Sequence, residues 1–265
     1  MAPDRATARH QPPLNDAVLI DSYKRAAAEA AAKMVQDGMR VGLGTGSTVA
    51  FLLPALAERK LHGLRCVATS PATEHLAQTL GLNVEDLDAV GELDIAIDGA
   101  DQVEESGWLV KGGGAALTRE KIVAAAARRF VVIVSAEKAV AALYPPVPLE
   151  VLRFGVERTL AEIGEARLRA GSGAQPRGAL QSAGGEQASA VDSLASPDGN
   201  LIADYFGRIG DPAELAARLS ATPGVVEHGL FAPQMVSWVL IAGADGVERR
   251  AGAKPEETPG ASPLS

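Results

Sequence analysis

Leu93-Asp94-Ile95-Ala96-Ile97 and Phe130-Val131-Val132-Ile133-Val134, with a stretch of helical character over 118–128 between them, decide the fold. Each is a short apolar run of the kind a strand shows when both of its faces are covered. Joined through a helix, they point to parallel neighbours in a sheet sheltered on both sides. The alternation extends towards the N-terminus. A helix is predicted over Ser22–Asp37, stopping at Gly38, followed by a strand at Met39–Leu43 and a helix at Ser47–Arg59. A strand at Leu64–Ala68 leads to a helix with Ser70 as its cap and Pro71 at its first position.

The pattern changes after Pro145-Pro146-Val147-Pro148, a rigid connector. Val147–Val151 reads as a strand, followed by a helix at 154–168, an extended piece near 189–194, a strand at 200–206, a helix at 212–220 and a strand at 225–230. This order is a split βαβ unit. Asp211-Pro212-Ala213-Glu214 resembles a capping box. Val236–Ala242 is an apolar strand able to return to the first sheet. Residues 170–188 lack periodicity and read as a flexible loop, and 1–14 and 251–265 read as frayed tails. The division is then an α/β catalytic domain over 15–146 plus 230–250 and a smaller domain over 147–229.

Hydrophobic residues make up 47% of the 265, enough for one or two cores. A net charge of −8 argues against a nucleic-acid surface, which needs clustered Lys and Arg. A small anionic substrate remains compatible with it, because a pocket can be positive on an acidic protein. Cys66, the single cysteine, sits in an apolar run and excludes an internal disulfide or a cysteine zinc site. The four histidines (His10, His62, His75, His228) have no metal spacing. No membrane span is visible, and the first thirteen residues lack the apolar core of a secretory signal, so the expectation is a cytoplasmic protein.

Three segments following predicted strands carry chemistry. Gly42-Leu43-Gly44-Thr45-Gly46-Ser47-Thr48 joins a strand to a helix, where glycines, hydroxyls and a helix N-terminus favour an anion. The plainer reading is a tight turn with Ser47 as helix cap. Asp98-Gly99-Ala100-Asp101 places two acids at the carboxyl end of a strand, where open α/β sheets bind ligands. They could instead be turn formers, or metal ligands without a suitably spaced partner. Lys111-Gly112-Gly113-Gly114-Ala115-Ala116-Leu117-Thr118-Arg119-Glu120-Lys121 is the most informative segment. Three consecutive glycines are entropically costly unless main chain must approach a ligand closely. Lys111 would bring positive charge to a developing oxyanion, whereas Glu120 could simply complement the helix dipole.

Taken together, these motifs resemble ribose-5-phosphate isomerase of type A, as do Ser135-Ala136-Glu137-Lys138, Thr69–Glu74, Pro148–Val151, Asp198-Gly199-Asn200 and Pro223–Glu227. The likeness covers about residues 20–250. It implies an α/β domain with a mainly parallel, helix-covered (Rossmann-like) sheet and a smaller α+β ferredoxin-like domain. The implied activity is interconversion of ribose 5-phosphate and ribulose 5-phosphate in the non-oxidative pentose phosphate pathway, with no metal or other cofactor. Glu120 falls on the family's catalytic base. Thr45, Gly46, Ser47, Thr48, Asp98, Gly99, Ala100, Asp101, Lys111, Gly112, Gly113, Gly114 and Lys138 fall on substrate-contacting stretches, and Lys24 on a basic position near the phosphate. Catalytic parts are expected for Glu120, Lys111, Asp98 and Asp101. Gln102 stands where the family usually has an acid. Partners implied by the likeness are a small phosphosugar and further copies of the chain, as a homodimer or homotetramer, with neither nucleic acid nor membrane. The rival readings are an aminosugar-phosphate deaminase and a sugar-phosphate-sensing module without catalysis.

Overall fold

A computed structural model describes residues 14–171 and 194–254. Helix α1 (Leu14–Ala32) precedes β1 (Arg40–Leu43), α2 (Val49–Glu58), β2 (Arg65–Ala68), α3 (Pro71–Thr79), the single turn α4 (Leu87–Val90) and β3 (Leu93–Asp98). Short strands β4 (Gln102–Glu104) and β5 (Leu109–Val110) lead to α5 (Leu117–Ala126), β6 (Ala127–Ser135) and β7 (Ala139–Val140). Then come β8 (Val147–Val151), α6 (Val156–Ile163), β9 (Ala166–Leu168), β10 (Leu201–Tyr205), α7 (Pro212–Ser220) and β11 (Val225–His228). The last elements are β12 (Leu230–Phe231), β13 (Trp238–Gly243) and β14 (Gly246–Ala251).

The main sheet has the order β14-β13-β6-β3-β1-β2, parallel except for β14 at its edge. Side chains alternate across it as the pleat requires. Ile95, Ile97, Val131 and Ile133 pack with α1 and α2 on one face, while Ala96, Phe130, Val132 and Val134 pack with Val123 and Ala124 of α5 on the other. Leu52, Leu53 and Leu56 fix α2, each at most 1% exposed and each worth roughly 1.5–3 kcal/mol in burial. Since β2 and β3 lie on opposite sides of β1, the carboxyl ends of β1 and β3 flank a topological switch point, where such sheets open a crevice.

The second sheet, β11-β8-β10-β9, is antiparallel and carries α6 and α7, the ferredoxin-like arrangement. A third sheet of short strands, β12-β5-β4-β7, was not foreseen. Two- and three-residue strands leave no period to detect. Gln102, 4% exposed, fastens this region by accepting from Tyr144 N–H at 2.9 Å and donating to Tyr144 O at 2.7 Å.

Several expected boundaries move. The first helix covers Leu14–Ala32, not Ser22–Asp37, and so takes in residue 14 of the expected tail. Its early turns expose Val18 (71%) and Leu19 (49%), so they carry no buried stripe, and it ends in tight turns ahead of Gly38. The helix expected over 154–168 stops at Ile163, because Gly164 with φ of +67° ends it and β9 begins. The helix expected over 118–128 ends at Ala126, where pairing of β6 with β3 takes over. The strand expected over 225–230 breaks at Gly229. Ala251 belongs to β14, and Gly252 and Lys254 bond back to Ser237 and Val236, so 251–254 are not tail. The remaining tail expectations, and residues 172–188 of the expected loop, lie outside the described residues. Among the described residues no helix is long and apolar enough to cross a membrane.

Gly229 stitches the sheets together: its N–H donates to Pro148 O at 2.7 Å and its carbonyl accepts from Lys111 N–H at 2.8 Å. A Cβ there would stand 2.2 Å from Lys111 O. Gly229→Ala is expected to cost about 1–3 kcal/mol or more, because backbone cannot yield as a side chain does. Chemical denaturation checks this, and an unchanged midpoint would contradict it.

Candidate active site

The three motif loops meet at the carboxyl edge of the main sheet. The β1–α2 loop supplies Thr45–Thr48, the turn after β3 supplies Asp98–Asp101, and the segment between β5 and α5 supplies Lys111–Gly114. They border a cavity of about 590 Å³ with Ala17, Ile20, Asp21 and Lys24 of α1, Glu120 of α5, and Glu137 and Lys138 beyond β6.

At the cavity floor a single ammonium meets two carboxylates. Lys111 Nζ lies 2.8 Å from Asp98 Oδ2 and 3.1 Å from Glu120 Oε2, and donates to Gly99 O at 2.6 Å. All three side chains are buried, between 2% and 3% exposed as residues. Neither carboxylate oxygen is met along a hydrogen-bond line, so these contacts are attraction between adjacent charges. The other oxygen of Asp98 accepts from Thr45 N–H at 3.0 Å and from Gly99 N–H at 2.7 Å. Burial drives the Asp98 carboxyl above its ordinary range against the pull of Lys111. Glu120 is pushed up to about 8, first by burial and then by the Asp98 charge, with Lys111 opposing. For Lys111, burial pulls downward, yet Asp98 and Glu120 outweigh it and hold the ammonium charged.

Glycine makes this approach possible at two points. A Cβ on Gly44 would fall 1.9 Å from Asp98 Oδ1, and one on Gly113 would fall 2.6 Å from Asp101 Oδ1. Gly113 N–H instead donates to Asp101 Oδ2 at 2.8 Å. Asp98 itself does not border the cavity, whereas Asp101, Gly99 and Ala100 do. Thr45 Oγ1 lies 2.7 Å from Thr69 Oγ1, which leaves Gly46, Ser47 and Thr48 as the open part of that loop. Ser47 is not the helix cap: Thr48 occupies that position and makes no capping bond with its side chain. Lys24 pairs with Asp21 at 2.9 Å on the wall of the cavity.

Sequence reading missed Ala17, Ile20, Asp21 and Glu137 on the cavity wall. It also missed Arg169, which donates to Gly112 O at 3.1 Å and Gly113 O at 3.2 Å while pairing with Asp204. Asp204 lies on β10 and Arg169 just after β9, outside every motif, and they carried no local signal. Cys66 is buried, and burial pushes its thiol up to about 12. Among the described residues no group of three or more His, Cys, Asp or Glu side chains is gathered to hold a metal ion.

Lys111→Met should leave two buried carboxylates without a cation, at about 3–5 kcal/mol. Since burial then opposes ionisation of both acids, the folded protein holds protons more tightly and the deficit should shrink as pH falls from 8 towards 4.5. Melting curves across that interval measure it. A deficit independent of pH would mean the lysine is not their counterion.

Residues 65–246 match the family model for ribose 5-phosphate isomerase A (phosphoriboisomerase A). A ribose-5-phosphate isomerase A from Synechococcus sp. (strain JA-3-3Ab) is 43% identical over 235 residues, covering 86% of this chain and 96% of the relative. One from Caulobacter vibrioides (strain NA1000 / CB15N) is 44% identical over 234 residues, covering 86% and 97%. A solved D-ribose-5-phosphate isomerase in complex with phospho-erythronic acid superposes with a TM-score of 0.77 at 33% identity, covering 88% of this chain and 99% of that one. The enzyme from Methanocaldococcus jannaschii does so with 0.77 and 33%, covering 87% and 99%.

Proposed function

The chain belongs to the ribose-5-phosphate isomerase A family, and on that premise we propose that Glu120 is the base of its aldose–ketose isomerisation. The reaction interconverts D-ribose 5-phosphate and D-ribulose 5-phosphate. What supports Glu120 most is its contact with a buried lysine that also touches Asp98, at the floor of the cavity where three loops converge.

The sugar must first open to its aldehyde. Asp101, which faces the cavity and is anchored by Gly113 N–H, is placed to move the ring-opening proton from the anomeric hydroxyl to the ring oxygen. Asp98 serves differently, holding Lys111 and the Thr45 backbone from below. The Glu120 carboxylate then takes the proton from carbon 2, and the electron pair of that bond moves to form the carbon–carbon double bond of an enediolate. The negative charge arrives on oxygen, where Lys111 and the main chain of Gly112–Gly114 supply positive potential already in place. Delivery of the same proton to carbon 1, with the hydroxyl proton passing from oxygen 2 to oxygen 1, completes the ketose. A carboxyl with its pKa near 8 binds and releases a proton at neutral pH with little driving force either way, which suits a shuttle.

Gly46, Ser47 and Thr48 at the start of α2, with Lys24 and Lys138, are proposed to hold the phosphate, since a helix N-terminus and two cations attract an anion. A phosphorylated sugar acid, the class of ligand found in one solved relative, would place its two anionic ends between this corner and Lys111. From the family likeness we also propose a homodimer or homotetramer acting in the cytoplasm, in the non-oxidative pentose phosphate pathway. The domain division 15–146 plus 230–250 and 147–229 is proposed likewise.

Glu120→Gln should lower kcat by about 10²–10⁴-fold with KM nearly unchanged, and should abolish exchange of the carbon-2 hydrogen with solvent. A variant that still exchanges that hydrogen would remove Glu120 from the role. The active base is ionised, so activity should decline as pH drops through the raised pKa. The acidic limb of kcat/KM is therefore expected nearer 8 than 4.5. A profile flat between those values would contradict it.

A further inference from the structure

The cavity is bordered wholly by residues between 17 and 138, yet the neighbours of Glu120 on α5 are tied to the ferredoxin-like unit. Arg119 forks onto Asp198 with contacts of 2.7 and 3.0 Å, and Lys121 Nζ donates to Glu227 Oε1 and His228 O, each at 2.7 Å. Thr118 Oγ1 donates to Glu150 Oε2 at 2.5 Å. Glu150, on β8, is 1% exposed, and its other oxygen accepts from Ser196 Oγ at 2.6 Å and Asn200 Nδ2 at 2.8 Å. A carboxylate so buried is expensive for a strand to carry, and all its hydrogen bonds come from neutral donors. An apolar side chain would serve the core of β8 better. What Glu150 adds is direction, because three donors from two segments, α5 and the turn at 196–200, fix both its oxygens.

The element it reaches needs that hold. Helix α5 starts after three glycines and Ala115, whose φ of +64° is left-handed, and its N-cap Ala116 offers no side-chain cap. No side-chain cap closes its first turn, so beside the buried Leu117 and the Arg119–Asp198 pair the hydroxyl of Thr118 is a further fastening, two residues before the base. We infer that Glu150 is a positioning residue for the isomerisation, acting through Thr118 Oγ1 to set the first turn of α5 and hence the reach of Glu120 to the substrate carbons.

The inference rests on Glu120 as the base, so Glu120→Gln is measured beside it in the full-length chain. Thr118→Val exchanges the hydroxyl for a methyl of similar shape, and Thr118→Ser restores the hydroxyl. If Glu150 positions α5, Thr118→Val lowers kcat by about 5–50-fold with KM within about twofold, since small misplacements of a reacting group are costly. Thr118→Ser then recovers most of the loss. Glu150→Gln lowers kcat similarly, and the double variant is no slower than the slower single one, because both act on one link. Unchanged kcat in Thr118→Val, with Glu120→Gln inactive, would overturn the positioning role while leaving the base assigned. Multiplying losses in the double variant, or kcat and KM failing together with the melting temperature, would overturn it too. An active Glu120→Gln would instead overturn the base assignment itself.

Discussion

One buried ammonium facing two buried carboxylates is the constraint around which this site is built. With all three groups ionised the cluster carries a net negative charge in a place water scarcely reaches, and a captured proton relieves it. The two acids are not equivalent candidates for that proton. Asp98 accepts two main-chain N–H groups, from Thr45 and Gly99, which favour its ionised form. Glu120 Oε2 has only the nearby charge of Lys111. Burial raises both acids, but only Glu120 borders the cavity, so it is the one within reach of a proton on substrate carbon. Asp98 and Glu120 together hold Lys111 charged, so positive potential is in place when the negative charge moves from carboxylate to substrate oxygen.

The sheet supplies the geometry. Strand β3 ends at Asp98 and β1 at Leu43, so the switch point between them sets an acid beside a glycine turn. Gly44 lets Asp98 lie against the main chain, and Gly42 lets α5 settle close on the sheet. A Cβ on Gly42 would stand 2.5 Å from Val123 Cγ1. Each added methyl would push an element carrying one of the charged groups away from the other two. Here close packing and catalysis make the same demand.

Much of the fold was legible because its inner strands are unbroken apolar runs: Leu93–Ile97, Phe130–Val134 and Leu64–Ala68 lie within a residue or two of β3, β6 and β2, save that β6 begins earlier. The loop at 111–114 was legible by composition, since three consecutive glycines are hard to explain as a connector, whereas the turn at 42–48 also read as a plain strand-to-helix turn. That Lys111 is a fully buried counterion was not legible. Nothing in the spacing of 98, 111 and 120 says they converge, and lysine is ordinarily exposed. Asp21 and Glu137 were hidden for a different reason: they reach the cavity through the placement of α1 and of the turn after β6. Glu150 lies in the Pro148–Val151 stretch, but its reach to Thr118, like that of Arg169 to Gly112 and Gly113, spans tens of residues, where no local pattern can announce it.

The path of the chain between its two units also bears on the site. After β11 it crosses at Gly229 and forms β12 against β5 before entering β13. That detour places Phe231, fully buried, beneath two ammonium groups: Lys111 Nζ lies 5.3 Å and Lys121 Nζ 4.9 Å from its ring centroid. An aromatic face attracts cations while excluding water. It therefore adds positive-charge stabilisation without offering a hydrogen-bond acceptor that would compete with Asp98 or Glu120 for the lysine. A polar side chain in that position would raise the local dielectric and blunt the attractions the cluster depends on. By supplying this ring from the strand that returns from the ferredoxin-like unit, the chain ties the seating of Lys111 to the closure of the two units on each other.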